Sequence, residues 1–173
     1  MVIGAGAGIG GNVAKRFAKE GFHSVLCRRS NQHGLDDLVR DIEKEGGTAS
    51  GFLINAVEPE SIEKCVDKVE NEIGHIDTLV FNLGAQVGNK SLSETTYKIF
   101  ELGWRLATFS LFRTASSVLP KMEKRGKGSF LVTTSTAAFR GNAGQHSHAS
   151  AMGGRRMLCQ SLNAEFASKG IHI

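Results

Sequence analysis

No run of about 18 apolar residues occurs in the 173-residue chain. A helix needs about that many to cross a bilayer, so no membrane partner is expected. The opening residues are apolar but follow no basic stretch and are too rich in glycine for a secretory leader. Cysteine is scarce. Cys27, Cys65 and Cys159 are an odd number without a Cys-x-x-Cys pair. That usage fits reduced thiols in a cytoplasmic compartment, each a small buried residue rather than a nucleophile. Charge of one sign is barely in excess: 21 Lys and Arg are interspersed with 17 Asp and Glu, a net +4. No basic stripe emerges, so no nucleic-acid partner is expected. His146 and His148 have no Cys, Asp or Glu at ligand spacing, and no metal is expected. Repeats, low-complexity tracts and linkers are also lacking, so residues 1–173 read as a single domain.

What is present is ordinary globular material, 40% hydrophobic and 22% charged, long enough for one sizeable core. One punctuation recurs. A charged amphipathic segment stops at glycine and a short apolar run follows, as in AKEG-FHSVLC, NEIG-HIDTLVF and KRGKG-SFLVTT. Glycine past a helix end accepts the left-handed cap conformation. Short β-branched runs suit buried parallel strands. Their alternation predicts an α/β fold: a doubly wound parallel sheet, Rossmann-like, in three α/β/α layers. Helices are expected over Ile9–Glu20, with Ile9, Val13 and Phe17 facing the sheet, and over Leu35–Glu45. Others should open at Glu58-Pro59-Glu60, cover about Thr96–Lys124, and cover about Ser150–Ser168. GQHSHASAM reads as a flexible lip. The first strand, Met1–Ile3, and the last, Ile171–Ile173, are short against a mean of about 5–6 residues. The chain thus reads as a piece of a larger fold, incomplete at its C-terminal edge.

The stretch MVIGAGAGIGGNVAKRFAKEGFHSVLCRR is strand, glycine turn, amphipathic helix, glycine stop and second strand. That is half of a dinucleotide-binding unit, in which the helix N-terminus receives a pyrophosphate. Two glycine readings fit: Gly4, Gly8 and Gly10, or Gly6, Gly8 and Gly11. The first is preferred because Gly4 directly follows the strand.

From these residues the chain resembles the short-chain dehydrogenase/reductase family over essentially its whole length. The family's phosphate turn, T-G-x-x-x-G-x-G, is matched by Gly4, Gly8, Ile9 and Gly10, with Ile3 in place of threonine and Gly6 inside the turn. The family's N-N-A-G corresponds to Phe81-Asn82-Leu83-Gly84. The resemblance implies that Asn82 braces the sheet beside the cofactor. Asn55 stands where the family places an aspartate against the adenine, and it also suits a plain turn. Ser135 matches the family's catalytic serine. The family's Tyr-x-x-x-Lys falls on His148 and Met152, and Ala107 takes the place of a catalytic asparagine.

Strand two ends Cys27-Arg28-Arg29 with no acid to hold ribose hydroxyls, and arginine there suits a 2′-phosphate. Cofactor residues are therefore expected at Gly4, Gly6, Gly8, Ile9, Gly10, Arg28, Arg29, Asn55, Asn82 and Gly84, for NADP rather than NAD. The resemblance implies hydride transfer between NADP(H) and a small-molecule carbonyl or alcohol substrate, with Ser135 and His148 as catalytic residues. Imidazole exchanges protons near neutral pH and suits a proton donor, although His148 also reads as a polar helix-start residue. With Met152 and Ala107 in place of polar partners, the alternative is a catalytically silent nucleotide-binding relative. The two long helices face partner subunits in the family. A homo-oligomer is implied, with Trp104, Phe109 and Phe112 as candidate contacts.

Overall fold

The computed structural model describes residues 1–84 and 88–173. Six parallel strands form one sheet: β1 Val2–Ile3, β2 His23–Arg28, β3 Thr48–Leu53, β4 Thr78–Phe81, β5 Gly128–Val132 and β6 Ile171–His172, in the order β3-β2-β1-β4-β5-β6. The chain steps outward from β1 to β3, then returns to place β4 on the other side of β1. Connections therefore leave the C-terminal ends of β1 and β4 in opposite directions. The crevice between them is where nucleotide ligands sit in such sheets. This is the Rossmann-like α/β fold that the alternation predicts.

Six helices cross over: α1 Ile9–Lys19, α2 Gln32–Lys44, α3 Ser61–Glu72, α4 Tyr97–Trp104, α5 Ser110–Arg125 and α6 His146–Phe166. Helices α1 and α2 pack Ala14, Ala18, Leu35 and Ile42 against Val2, Leu26 and Val80 on one face. Helices α3 and α5, with the end of α6, enclose the larger core on the other, around Phe81, Phe130, Leu111, Leu119 and Met122. Burying such side chains stabilises the fold by about 1.5–3 kcal/mol each. Two clamps tie α5 to α3 across that face. Arg113 donates to both carboxylate oxygens of Glu63, at 2.8 and 2.5 Å. Arg125 does the same to Glu70, at 3.0 and 3.2 Å. The Arg113 guanidinium holds the Glu63 carboxyl below its ordinary range. On the α1 face, β5 is only partly covered: Leu131, in register with buried Val80, is 38% exposed.

Several boundaries differ from expectation, each for a local reason. Ile9 does not face the sheet; it is 65% exposed. The buried stripe of α1 is instead Gly10, Gly11, Ala14 and Ala18, small residues that let the helix lie close to the strands. Helix α2 begins three residues early because the Asn31 side chain accepts from Gly34 N at 2.9 Å. Helix α3 begins late: Glu60 takes a φ of +60°, which leaves Pro59 outside the first turn. The long helix is broken in register by a π-helical stretch, Arg105–Phe109. Helix α6 begins at His146, four residues early, so most of the expected lip is its first turns.

Candidate nucleotide and active site

Glycines divide the turn after β1 into two kinds of position. Gly4 leaves β1 at a φ of +93°, and a Cβ on it would lie 2.6 Å from the Asn82 carbonyl oxygen. A Cβ on Gly10 would lie 2.2 Å from the Gly4 oxygen, and one on Gly11 2.4 Å from the Gly6 oxygen. These three fold the turn onto itself. Gly6 and Gly8 are different: a Cβ on either meets nothing within 4 Å among the described residues. Their bareness is of no use to the protein's own packing and leaves backbone open to a close-lying group. The Asn82 side chain donates to Gly4 O at 3.1 Å, and Gly4 N and Ala5 N both donate to Cys27 O at 2.9 Å. No side chain caps α1 at Gly8, so the helix presents its first N–H groups to the crevice.

A cavity of about 370 Å³ opens over the C-terminal ends of the strands. Its wall brings together Gly4, Gly6, Arg28, Arg29, Asn55, Asn82 and Gly84. Gly8 caps α1 and Ile9 and Gly10 open it, beside the wall rather than on it. Among the described residues, two arginines and no carboxylate line the cavity. Asn55 is on the wall, but its side chain is engaged locally, donating to Glu58 Oε1 at 2.8 Å and accepting from Val57 N at 3.4 Å. The loop it belongs to is anchored from below. Arg105 donates to Val57 O at 2.7 Å, and Arg113 to Ala56 O at 3.0 Å.

The catalytic candidates meet at the end of β5. Ser135 follows that strand and His148 sits in the first turn of α6, with Oγ and Nε2 3.4 Å apart. That is long for a hydrogen bond, a slackness common before substrate is bound. Among the described residues, His148 Nδ1 is buried without a partner. A second cavity, of about 290 Å³, is lined by Gly88, Asn89, Gln145 and His148. Met152 and Ala107 are not scattered substitutions. With Ala137 and Ala151 they form one small apolar cluster, Met152 being 4% exposed. Tyr97, the one tyrosine, is 96% exposed at the start of α4, so it does not stand in for the missing phenol. A further cavity, of about 260 Å³, lies at the other end of the sheet near Met1, Phe22 and His75, and none of these candidate residues lines it.

Sequence reasoning missed Arg155. It is 1% exposed, and its guanidinium donates to Ala107 O at 3.1 Å, Thr133 O at 2.9 Å and Leu83 O at 2.7 Å. Those carbonyls belong to the π-helical stretch and to the exits of β5 and β4, so one side chain bolts three walls of the site to α6. Its guanidinium carbon lies over the Phe81 ring, 5.1 Å from the centroid. Burial pushes its pKa down to about 10, and it stays cationic at neutral pH. The signal was present: 155 follows Ala151 and Met152 at four and three residues, which is the buried helical face. Replacing Arg155 with Met loses three hydrogen bonds from a charged donor, about 1.5–3 kcal/mol each, and relieves much of the cost of burying the charge. The expected net loss is about 2 kcal/mol by urea denaturation; an unchanged midpoint would show that the bolt carries no weight.

A model of the short chain dehydrogenase family matches residues 1–173. A 7alpha-hydroxysteroid dehydrogenase from Escherichia coli is 30% identical over 173 residues, all of this chain and 67% of that protein. The chain thus spans about two thirds of that relative's length. A crystal structure of a short-chain dehydrogenase from Rhodopseudomonas palustris superposes with a TM-score of 0.94 at 34% identity, covering 99% of this chain and 80% of that one. A 7 alpha-hydroxysteroid dehydrogenase solved with NADH and 7-oxo glycochenodeoxycholic acid gives a TM-score of 0.91 at 30% identity, covering 98% and 66%.

Proposed function

The chain belongs to the short-chain dehydrogenase family, and from that premise we propose that it binds NADP(H) and serves hydride transfer between it and a carbonyl or alcohol substrate. The observation that carries the proposal is the crevice at the β1–β4 switch point, bounded by bare glycine backbone on one side and by Arg28 and Arg29, with no carboxylate among the described residues, on the other. Gly6, Gly8 and the N-terminus of α1 would hold the pyrophosphate. Arg28 and Arg29 would pair with a 2′-phosphate, which favours NADP over NAD. The nicotinamide, when bound, supplies or accepts the hydride. Ser135 Oγ–H would hydrogen-bond the substrate oxygen, and the His148 imidazole would give that oxygen its proton during reduction and remove it during oxidation. Because Met152 and Ala107 lie in an apolar cluster, His148 would exchange its proton through the cavity beside Asn89 and Gln145.

That same apolar cluster favours a second reading, a protein that binds nucleotide without turnover. Thermal unfolding separates the two. NADPH at a hundred times its dissociation constant should add about 2.7 kcal/mol, a rise of roughly 5–10 °C. NADH should add less, and Arg28→Ala with Arg29→Ala should remove the difference. No shift with either nucleotide would sink both readings; a shift without turnover on a carbonyl panel would leave the silent one.

A second copy of this chain is the proposed partner of α4 and α5. Phe100, Trp104, Phe109 and Phe112 are each 39–50% exposed there, and Trp104 stacks on Phe109 at 5.3 Å. Light scattering is expected to give a dimer or larger; a monomer mass at 100 μM would overturn this.

A further inference from the structure

Two of the three cysteines, separated by 38 positions, meet beneath the nucleotide crevice. Cys27 Sγ and Cys65 Sγ are 3.8 Å apart, joining the end of β2 to α3. Cys27 is fully buried and Cys65 retains 6% of its surface. The main chain of Cys27 is part of the candidate nucleotide site: its carbonyl accepts from both Gly4 N and Ala5 N. It also lines the crevice next to Arg28 and Arg29. Ile54 and Ala56 share a core cluster with both thiols and line the same crevice. We propose that Cys27 and Cys65 are a modifiable dithiol site, closed to a disulfide by hydrogen peroxide, and that closure weakens binding of the nucleotide. This rests on the nucleotide-binding reading above.

The two thiols are not equivalent. Cys65 carries the surface, and either sulfur can donate in the contact between them. That contact, with Lys68 one turn away, pulls the Cys65 thiol below its ordinary range, while the contact and burial push Cys27 up. Cys65 therefore attacks first. Its thiolate sulfur bonds one peroxide oxygen as the O–O bond breaks, and hydroxide leaves and is protonated to water. The Cys27 sulfur then bonds the Cys65 sulfur as the S–O bond breaks. A second hydroxide leaves and takes up the Cys27 proton. Two thiols lose two electrons and two protons, and the peroxide becomes two waters.

A disulfide is about 2.0 Å long, so the sulfurs must approach by about 1.8 Å. In a close-packed interior that displacement passes to the neighbouring main chain. The Cys27 carbonyl moves, and with it the two N–H groups that set the glycine turn.

The experiment uses the full chain carrying Cys159→Ser, so that the third thiol takes no part. Reduced protein is titrated with NADPH by fluorescence, then treated with hydrogen peroxide, mapped by mass spectrometry without reductant, and titrated again. The expected result is one peptide pair joined through Cys27 and Cys65, NADPH affinity lower by about tenfold, the worth of about one hydrogen bond, and full recovery in dithiothreitol. Cys65→Ala in the same background should keep its affinity through the peroxide treatment. Thiols that stay free, or are overoxidised separately, overturn the site. A mapped disulfide with unchanged affinity overturns its effect on the nucleotide. Failure of the reduced protein to bind NADPH overturns the nucleotide reading instead, while the mapping still reports on the dithiol.

Discussion

Gly10→Ala is expected to cost about 3 kcal/mol of stability, whereas Gly6→Ala, four residues away, leaves stability nearly unchanged and lowers NADPH affinity by about tenfold. The added atom is the same in both. At Gly10 it would lie 2.2 Å from the Gly4 oxygen and 2.9 Å from Asn82 Nδ2. Neither neighbour yields easily, because Gly4 is held by Cys27 O and by the Asn82 side chain. Forcing a methyl into such a contact costs about 1–3 kcal/mol in an ordinary core, and backbone as the obstacle puts this site at the upper end. At Gly6, among the described residues, nothing beyond its own chain neighbours lies within 4 Å of the new Cβ. The methyl then projects into the crevice, where only a ligand meets it. Denaturant midpoints and fluorescence titrations on both variants decide the matter. Equal losses of stability would mean that both glycines serve the fold. Wild-type NADPH affinity in Gly6→Ala would remove the pyrophosphate from this turn.

The contrast between those glycines also marks how far the sequence could be read. The strand–helix alternation and the glycine stops are local, repeated signals, and the sheet followed from them. Which glycine packs and which lies open depends on Asn82, 78 residues from Gly4, and no local pattern carries that. Ile9 was expected on the sheet side because its spacing to Val13 and Phe17 is helical. The helix instead turns its glycines and alanines inward, since close approach outweighs apolar area at that point. GQHSHASAM reads as a flexible lip, yet within it Ser147 is buried in the first turn of α6 and donates to Phe100 O at 3.0 Å. Met152 and Ala107 each read as a loss of function from sequence alone. Only in three dimensions do they become neighbours in one apolar cluster. The Cys27–Cys65 contact and the three carbonyls on Arg155 are long-range in the same way.

His148→Ala is expected to lower the rate of carbonyl reduction by about 10²–10⁴-fold, the usual worth of a positioned acid, with NADPH affinity unchanged. The imidazole lies across from Ser135, with Nε2 toward Oγ and Nδ1 without a partner among the described residues. Among the described residues none forms an ion pair with it, so the loss should appear in kcat. Ser135→Ala should give a smaller loss, because the serine donates a hydrogen bond and moves no net proton. Rates equal to wild type in His148→Ala would show that the proton comes from elsewhere and would return His148 to a polar helix-start residue. Exchange toward the family residues is not symmetrical. His148→Tyr places a larger ring where a cavity of about 290 Å³ is available, and it should fold. Met152→Lys places an ammonium among Ala107, Ala137 and Ala151, where burial favours its neutral form. The double variant should therefore be less stable than His148→Tyr alone. If it gains reductase activity, the nucleotide crevice was intact throughout and the apolar cluster is what holds the rate down.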